Sequence, residues 1–356
     1  MLLFSLLAAA FLWWIGQDAL EDLHPFQFYA DSGTYLRTYR GETVFEGALV
    51  DVGANYLGPI AMLTLVQGNI YAVMLLNVAL FTASVAAVSR LLGLNAVVLA
   101  LWLLINPITV SSLLSVNKEI FLFPFLALAL WAHVRRKWLP ALLALLTAVL
   151  VRWQMVIFYL MLLALVGPWP LIRHRGVVMA LVLLLISAAY RAIQPLIEPI
   201  LHYVEGSFES YEGVGSGLFE WTLQLQNEGL YFLVFPIKAF HLLFGMGLKL
   251  EKVFFPTEIY NDLFIGGHCL VALLLALRAW QRRLLTLRHD LVAAAALFLA
   301  VFCVTPVFAP RYLYFVFMLL ALALAGAPAQ LRAAAALRHR APRRAQGAAQ
   351  VGAAGS

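Results

Sequence analysis

Residues 117–154 read NKEIFLFPFLALALWAHVRRKWLPALLALLTAVLVRWQ, and the spacing of charge along them decides the fold. No formal charge falls between Glu119 and Arg135, and none between Lys137 and Arg152. The two apolar runs, 119–134 and 139–151, are shorter than the ~20 residues of a perpendicular membrane helix. A basic triplet, Arg135-Arg136-Lys137, joins them, and basic loops mark the cytoplasmic side of a membrane protein. The next basic pair, Arg173 and Arg175, carries the same mark. Residues 138–172 must then cross an even number of times, which makes Arg152-Trp153-Gln154 a turn at the outer face. A single long helix with an arginine at mid-membrane is excluded.

The rest of the chain extends that pattern. It is 63% apolar and 12% charged, with a mean hydropathy of +0.90, whereas soluble domains carry about 25% charged residues. The predicted fold is all-α and polytopic. Cys269 and Cys303 lie inside apolar runs and read as buried thiols, so neither a disulfide nor a metal site is expected. The net charge of +6 resides in short basic clusters between apolar segments. It reports topology, and no nucleic-acid partner is expected.

Further basic clusters lie at Arg90, at Arg278, Arg282, Arg283 and Arg288, and in the tail from Arg332 to Arg344. All the basic clusters together hold 15 of the 24 Lys+Arg but only one acid, Asp290. The remaining acids fall in the opposite set of segments. Counting predicts about ten spans with both termini cytoplasmic, and two long outer segments, 16–69 and 191–262. Residues 108–118 fall outside by the same parity. Residues 57–66, with Gly58-Pro59, read as an interfacial or re-entrant helix. Residues 229–248 read as a helix along the outer interface, with Lys238 and His241 at headgroup level. Residues 1–15 read as an uncleaved first helix. The whole of 1–330 forms one integral membrane domain, followed by a basic, disordered cytoplasmic tail over 331–356.

Three polar clusters then share the outer level. The first is Asp31-Ser32-Gly33-Thr34-Tyr35. A carboxylate there can serve as a general base if burial brings its pKa toward the working pH, and it can equally cap a helix. The second is Asn117-Lys118-Glu119, whose lysine suits a phosphate and whose carboxylate suits a sugar hydroxyl. Alternatively, the cluster merely pins a helix end. The third is Pro310-Arg311-Tyr312, at the level of Arg152 and Gln154. These arginines either clamp a phosphate through the planar guanidinium or snorkel to lipid headgroups. The 191–262 segment adds Glu198, Glu205, Glu209, Glu212, Glu220 and Glu228 with Tyr203, Tyr211 and Trp221, a mixture suited to carbohydrate or to plain solvation. No phosphate-binding loop, paired-histidine zinc motif or dinucleotide fingerprint occurs.

With those motifs in these positions, the chain resembles the polyprenyl-phosphate-dependent membrane glycosyltransferases of the GT-C type, and is similar to the related bacterial exopolysaccharide and O-antigen polymerases. The resemblance implies Asp31 as catalytic base. It implies Lys118, Arg152 and Arg311 as phosphate ligands, with Tyr35, Asn117, Glu119, Gln154 and Tyr312 lining the substrate site. It implies an inner-membrane protein of bacteria whose active face is periplasmic or extracellular. The donor would be a polyprenyl-phosphate- or polyprenyl-diphosphate-linked sugar, moved to a glycan or lipid-linked acceptor with no further cofactor; metal use is left open. Partners would be membrane lipid, lipid-linked glycan and polysaccharide assembly proteins. Unlike many relatives, this chain has neither a second acid beside the first nor a soluble outer domain after the last helix. A repeat-unit polymerase, a flippase for the same glycans and a non-catalytic subunit are the competing readings. Against a transporter, the charges gather at one interface and the two halves do not match.

Overall fold

The computed structural model describes residues 30–42, 53–165, 174–190, 216–255, 259–306 and 308–326. The expected first helix over 1–15, the acidic stretch at 198–212 and the basic tail lie outside them. Among the described residues every regular element is helical. In order, α1 is Ala30–Tyr39, α2 Gly53–Leu65, α3 Ile70–Leu92, α4 Ala96–Leu104, α5 Pro107–Leu114, α6 Leu122–Arg135, α7 Trp138–Val151 and α8 Trp153–Leu165. Next come α9, Arg175–Tyr190, then α10, Ser216–Asn227, α11, Tyr231–Phe244, and α12, Leu250–Phe254. The last three are α13, Gly266–Gln281, α14, Asp290–Phe302, and α15, Tyr314–Leu324. Tight 3-10 turns at Lys118–Phe121 and Pro310–Leu313 lead into α6 and α15.

Two helices, Ile70–Leu92 and Asp262–Gln281, are long and apolar enough to cross a membrane, and a third candidate is α4 with α5. The other apolar helices run 10–17 residues. Local chemistry sets where each one stops. Asn69 caps α3 by accepting from the Ala72 amide at 3.1 Å, and Gly93 closes it in the left-handed region at φ 64°. Arg152 interrupts α7 and α8 with an extended backbone, φ −169° and ψ 149°. The break expected from charge parity is there.

Residues 108–118, placed outside by parity, are largely helical: α5 bends 94° from α4 and is buried, with Thr109 and Ser112 fully covered. The cause is Asn106-Pro107. Asn106 accepts from the Ile108 amide at 2.9 Å, and Pro107 sits at the first helical position, where its missing N–H costs nothing. At the other end of α5, the buried Asn77 donates to the carbonyls of Ser112 (3.1 Å) and Ser115 (2.7 Å). Those carbonyls have no partner within the helix, so Asn77 fixes where the chain leaves toward Asn117.

The interior is aromatic. Phe158 meets Phe298 edge-on at 5.2 Å, Phe298 lies 5.1 Å from Phe315, and Phe315 lies 5.5 Å from Phe125. These rings join α6, α8, α14 and α15. Every residue of α15 is buried, as befits a helix that is apolar all round and packed at the centre. A polar tie holds it against α5, with Tyr314 OH and Thr109 Oγ1 2.6 Å apart, and a second joins the start of α5 to α13, where Asn106 Nδ2 meets His268 Nδ1 at 2.8 Å. Gly58 lets α2 touch α7, because a Cβ there would collide with the Leu150 carbonyl oxygen. Cys269 and Cys303 are both free and buried.

α11 also departs from expectation. Lys238 does not reach toward headgroups; it is fully buried and donates to Gln226 Oε1 at 2.6 Å and to the Thr305 carbonyl at 2.7 Å. His241 packs against Phe308, ring centroids 5.0 Å apart. At the far end of α6, Asp290 gathers Arg175 at 2.5 Å and His133 at 3.3 Å, and Arg175 also donates to the Leu287 and Arg288 carbonyls. The 14 residues of α6 separate this cluster from Lys118 and Glu119 by about 21 Å at 1.5 Å per residue.

Candidate functional site

The polar clusters near residues 31, 118, 152 and 311 converge on one place. Each arrives by its own route: Asp31 on the first turn of α1, Lys118 and Glu119 on the 3-10 turn before α6, Arg152 at the break between α7 and α8, Arg311 and Tyr312 on the turn before α15. Ser32 Oγ donates to the Val116 carbonyl at 2.8 Å, tying α1 to the strand of chain that carries Asn117. Asn117 Oδ1 accepts from the Glu119 amide at 2.9 Å. Asn117 therefore shapes the turn, and its side-chain oxygen is committed there.

Two ion pairs form the centre. Arg311 binds Asp31 at 2.7 Å, and Arg152 donates to Glu119 Oε1 at 2.9 Å. The Arg152 guanidinium also stacks on Tyr312, 3.4 Å from the ring centroid, where the ring face attracts a cation. Arg152 is only 6% exposed. It does not snorkel to lipid. Arg311 lies 5.6 Å from the same ring, so Tyr312 underlies both guanidinium groups.

Asp31 lies within the first turn of α1 and its carboxylate faces Arg311, so pairing, not capping, is its role in this fold. The upward pKa shift that would favour a general base is not present while the pair is intact. Burial pushes the carboxyl up, but the charges of Arg311, Lys118 and Arg152 outweigh it and hold it below the ordinary carboxylate value. Tyr35 is 2% exposed, edge-on to Tyr56 at 5.0 Å. Burial, with Asp31 and Glu119 adding to it, holds its phenol protonated well above the usual range. It forms the wall behind the carboxylates.

Lys118 is the unusual member. It is 6% exposed, yet its ammonium makes no hydrogen bond or ion pair among the described residues. Burial lowers its pKa, and the neighbouring Arg152 charge lowers it further. A complementary deficit lies next to it in the chain: Glu119 Oε2 is a buried acceptor with no donor among the described residues, as is Gln154 Oε1, two positions after Arg152. Buried polar groups in folded proteins are normally paired. A cation without an acceptor beside acceptors without donors suits a ligand that carries both an anion and hydroxyls. Among the described residues no group of His, Cys, Asp and Glu is arranged to hold a metal ion.

Charge parity was enough to foresee the convergence of Asp31, Lys118, Glu119, Arg152 and Arg311 at one level. It did not show the pairing, nor the structural part played by Ser32 and Asn77. Asn77 sits inside an apolar helix, and that alone marks it as a buried polar anchor. No protein-family model, no curated protein and no solved structure matches this chain.

Proposed function

We propose that this chain is a multi-span membrane glycosyltransferase that moves a sugar from a polyprenyl-phosphate-type donor to an acceptor hydroxyl at the outer face. The observation that carries this reading is the buried Lys118, without a hydrogen-bond or ion-pair partner among the described residues, beside Arg152 and Arg311, with Glu119 Oε2 and Gln154 Oε1 as buried acceptors that lack a donor among them. A topology of about ten spans, with faces assigned by charge counting, belongs to the same proposal. The cluster around Lys118 falls at the end that charge counting assigns outside, and the Asp290 cluster falls among the basic loops assigned inside. Short helices interrupted by tight turns, such as α4 with α5, account for spans that length alone does not mark.

The step is a displacement at the anomeric carbon. The acceptor oxygen attacks, its proton passes to Asp31, the bond between the sugar carbon and the phosphate oxygen breaks, and the electron pair leaves on the phosphate. Lys118, Arg152 and Arg311 meet the charge that grows on that phosphate, a stabilisation worth several kcal/mol in a water-poor site. Arg311 has a second consequence. A donor phosphate that draws it away from Asp31 relieves the carboxylate of its largest acid-strengthening partner, and Asp31 becomes a better base once the donor is seated.

Asp31→Asn tests the reading. It keeps the size of the side chain and an acceptor for Arg311 while removing the base. The purified variant is expected to keep the thermal midpoint of the parent within a few degrees and to lose transfer by roughly a hundredfold or more. Wild-type transfer rates in Asp31→Asn would remove Asp31 from the chemistry.

A further inference from the structure

A fully buried histidine that the transfer step does not use touches two of the segments that lead to the site. His268 stands in the first turn of α13. On one side it meets Asn106, where α5 begins its run toward Lys118 and Glu119. On the other it meets the backbone of Pro310, the first residue of the turn that carries Arg311 and Tyr312. The hydrogen bonds settle where its ring proton sits. Asn106 Oδ1 accepts from the Ile108 amide at 2.9 Å, so the group 2.8 Å from His268 Nδ1 is the Asn106 NH2, a donor. Nδ1 must accept, and the proton is on Nε2. Nε2 closes no hydrogen bond among the described residues. Proline has no N–H, so the Pro310 group that the ring faces is a carbonyl, an acceptor for that proton. Packing fixes the ring in place: it lies edge-on to Tyr314 at 6.0 Å and to Phe317 at 6.4 Å, in the helix that follows the turn. Next to it Gly267 admits Pro107, whose Cγ would lie 3.1 Å from an added Cβ.

We infer that His268 is a positioning residue: a neutral imidazole with its proton on Nε2 that braces the Pro310 turn against the start of α5 and so holds Arg311 where it pairs with Asp31. The inference rests on the transfer reading above for what that ion pair does in the reaction. A second proton on Nδ1 would set donor against donor at Asn106, and a buried donor left without an acceptor is costly. The ring therefore acts as a fixed donor and acceptor and does not relay protons. Its effect on chemistry is indirect: a loosened turn lets Arg311 drift from Asp31, and the carboxyl then loses part of the positive charge that offsets its burial.

The test follows the titration of Asp31 itself, by NMR of the full-length protein in nanodiscs with isotope-labelled aspartate, the Asp31 signal being the one missing from Asp31→Asn. Arg311, Lys118 and Arg152 face this carboxyl, and Tyr35 and Tyr312 lie beside it, so its midpoint reports where Arg311 stands. His268→Phe keeps an aromatic ring but neither accepts from Asn106 nor donates to Pro310, and the Asp31 midpoint is expected to rise by about half a pH unit or more. His268→Asn keeps an acceptor for Asn106 and loses the reach to Pro310; the midpoint should rise here too, so the outcome does not depend on one variant folding. His268→Gln supplies one donor and one acceptor, as the neutral ring does, and should return the midpoint toward the parent's. An unmoved midpoint in His268→Phe and His268→Asn would overturn the inference. So would a rise in His268→Gln as large as that in His268→Phe, which would assign the effect to ring packing alone. The acid limb of kcat/KM for transfer should move with the midpoint; a limb that stays while the midpoint moves would leave His268 its positioning role and remove Asp31 as the base.

Discussion

Arg152→Met strands a carboxylate inside the protein, and the cost can be worked from the pair it breaks. The Arg152 and Glu119 side chains are 7% and 4% exposed, and Glu119 Oε2 has no donor even in the intact pair. Breaking a buried ion pair from one side costs about 3–5 kcal/mol, because the remaining charge keeps its desolvation penalty. Losing the stack on Tyr312 adds about 0.5–2 kcal/mol. Glu119→Gln leaves the opposite charge exposed to the same penalty, softened by the hydrogen bond that an amide oxygen still accepts. In the double variant Arg152→Met/Glu119→Gln no charge is stranded, so its loss should fall short of the summed single losses by about 2 kcal/mol or more. Unfolding of the four proteins in lipid micelles, followed by denaturant titration, supplies the cycle. Additivity within about 0.5 kcal/mol would show that the two side chains do not act as one buried pair, and the preorganised phosphate site would lose its foundation.

Topology is tested with cysteines at exposed positions: Glu42→Cys and Gln224→Cys should react with an impermeant thiol reagent applied outside intact cells, and Thr286→Cys should not. Labelling of Thr286→Cys from outside would reverse the assigned faces. Lys238→Met should lower stability by about 2–4 kcal/mol, since Gln226 Oε1 and the Thr305 carbonyl each lose a buried donor; a melting temperature equal to the parent's would show that Lys238 is dispensable. In Arg311→Met the burial of Asp31 is no longer offset by its nearest cation, so its carboxyl rises. A base works only when deprotonated, and the acid limb of kcat/KM against pH should therefore move to higher pH; an unmoved limb would detach Arg311 from Asp31.

How much of this was legible in the sequence follows from what each signal measures. Arginine and lysine spacing reports sidedness, because charge at a membrane is sorted by face, and it placed Asp31, Lys118, Arg152 and Arg311 at one level and Arg175 with Asp290 at the other. The same signal is blind to depth. It placed residues 108–118 outside by parity and did not show that they fold into a buried helix, although Asn106-Pro107 spells a cap followed by a helix start. It laid residues 229–248 along the interface, and Lys238 at headgroup level, because one more crossing would put Arg278 to Arg288 outside; the partner that buries Lys238, Gln226, belongs to another helix twelve residues earlier. The direction in which the Asp31 pKa moves was hidden for a related reason. Burial is readable from composition, but the cation that outweighs it comes from Arg311, 280 positions along the chain. Pairing across such distances is a property of the packed fold.

The central claim is that the cluster around Lys118 holds a lipid-linked sugar donor and transfers its sugar on the outer face. The most direct measurement supplies the purified protein, in nanodiscs, with a polyprenyl-phosphate hexose labelled in the sugar and a glycan bearing free hydroxyls. Label is expected to move to the glycan with no nucleotide sugar present, and Lys118→Met and Asp31→Asn are each expected to abolish the transfer. Label that stays on the lipid with the parent protein, while the intact donor crosses from one leaflet to the other in proteoliposomes, would contradict it and identify a transporter.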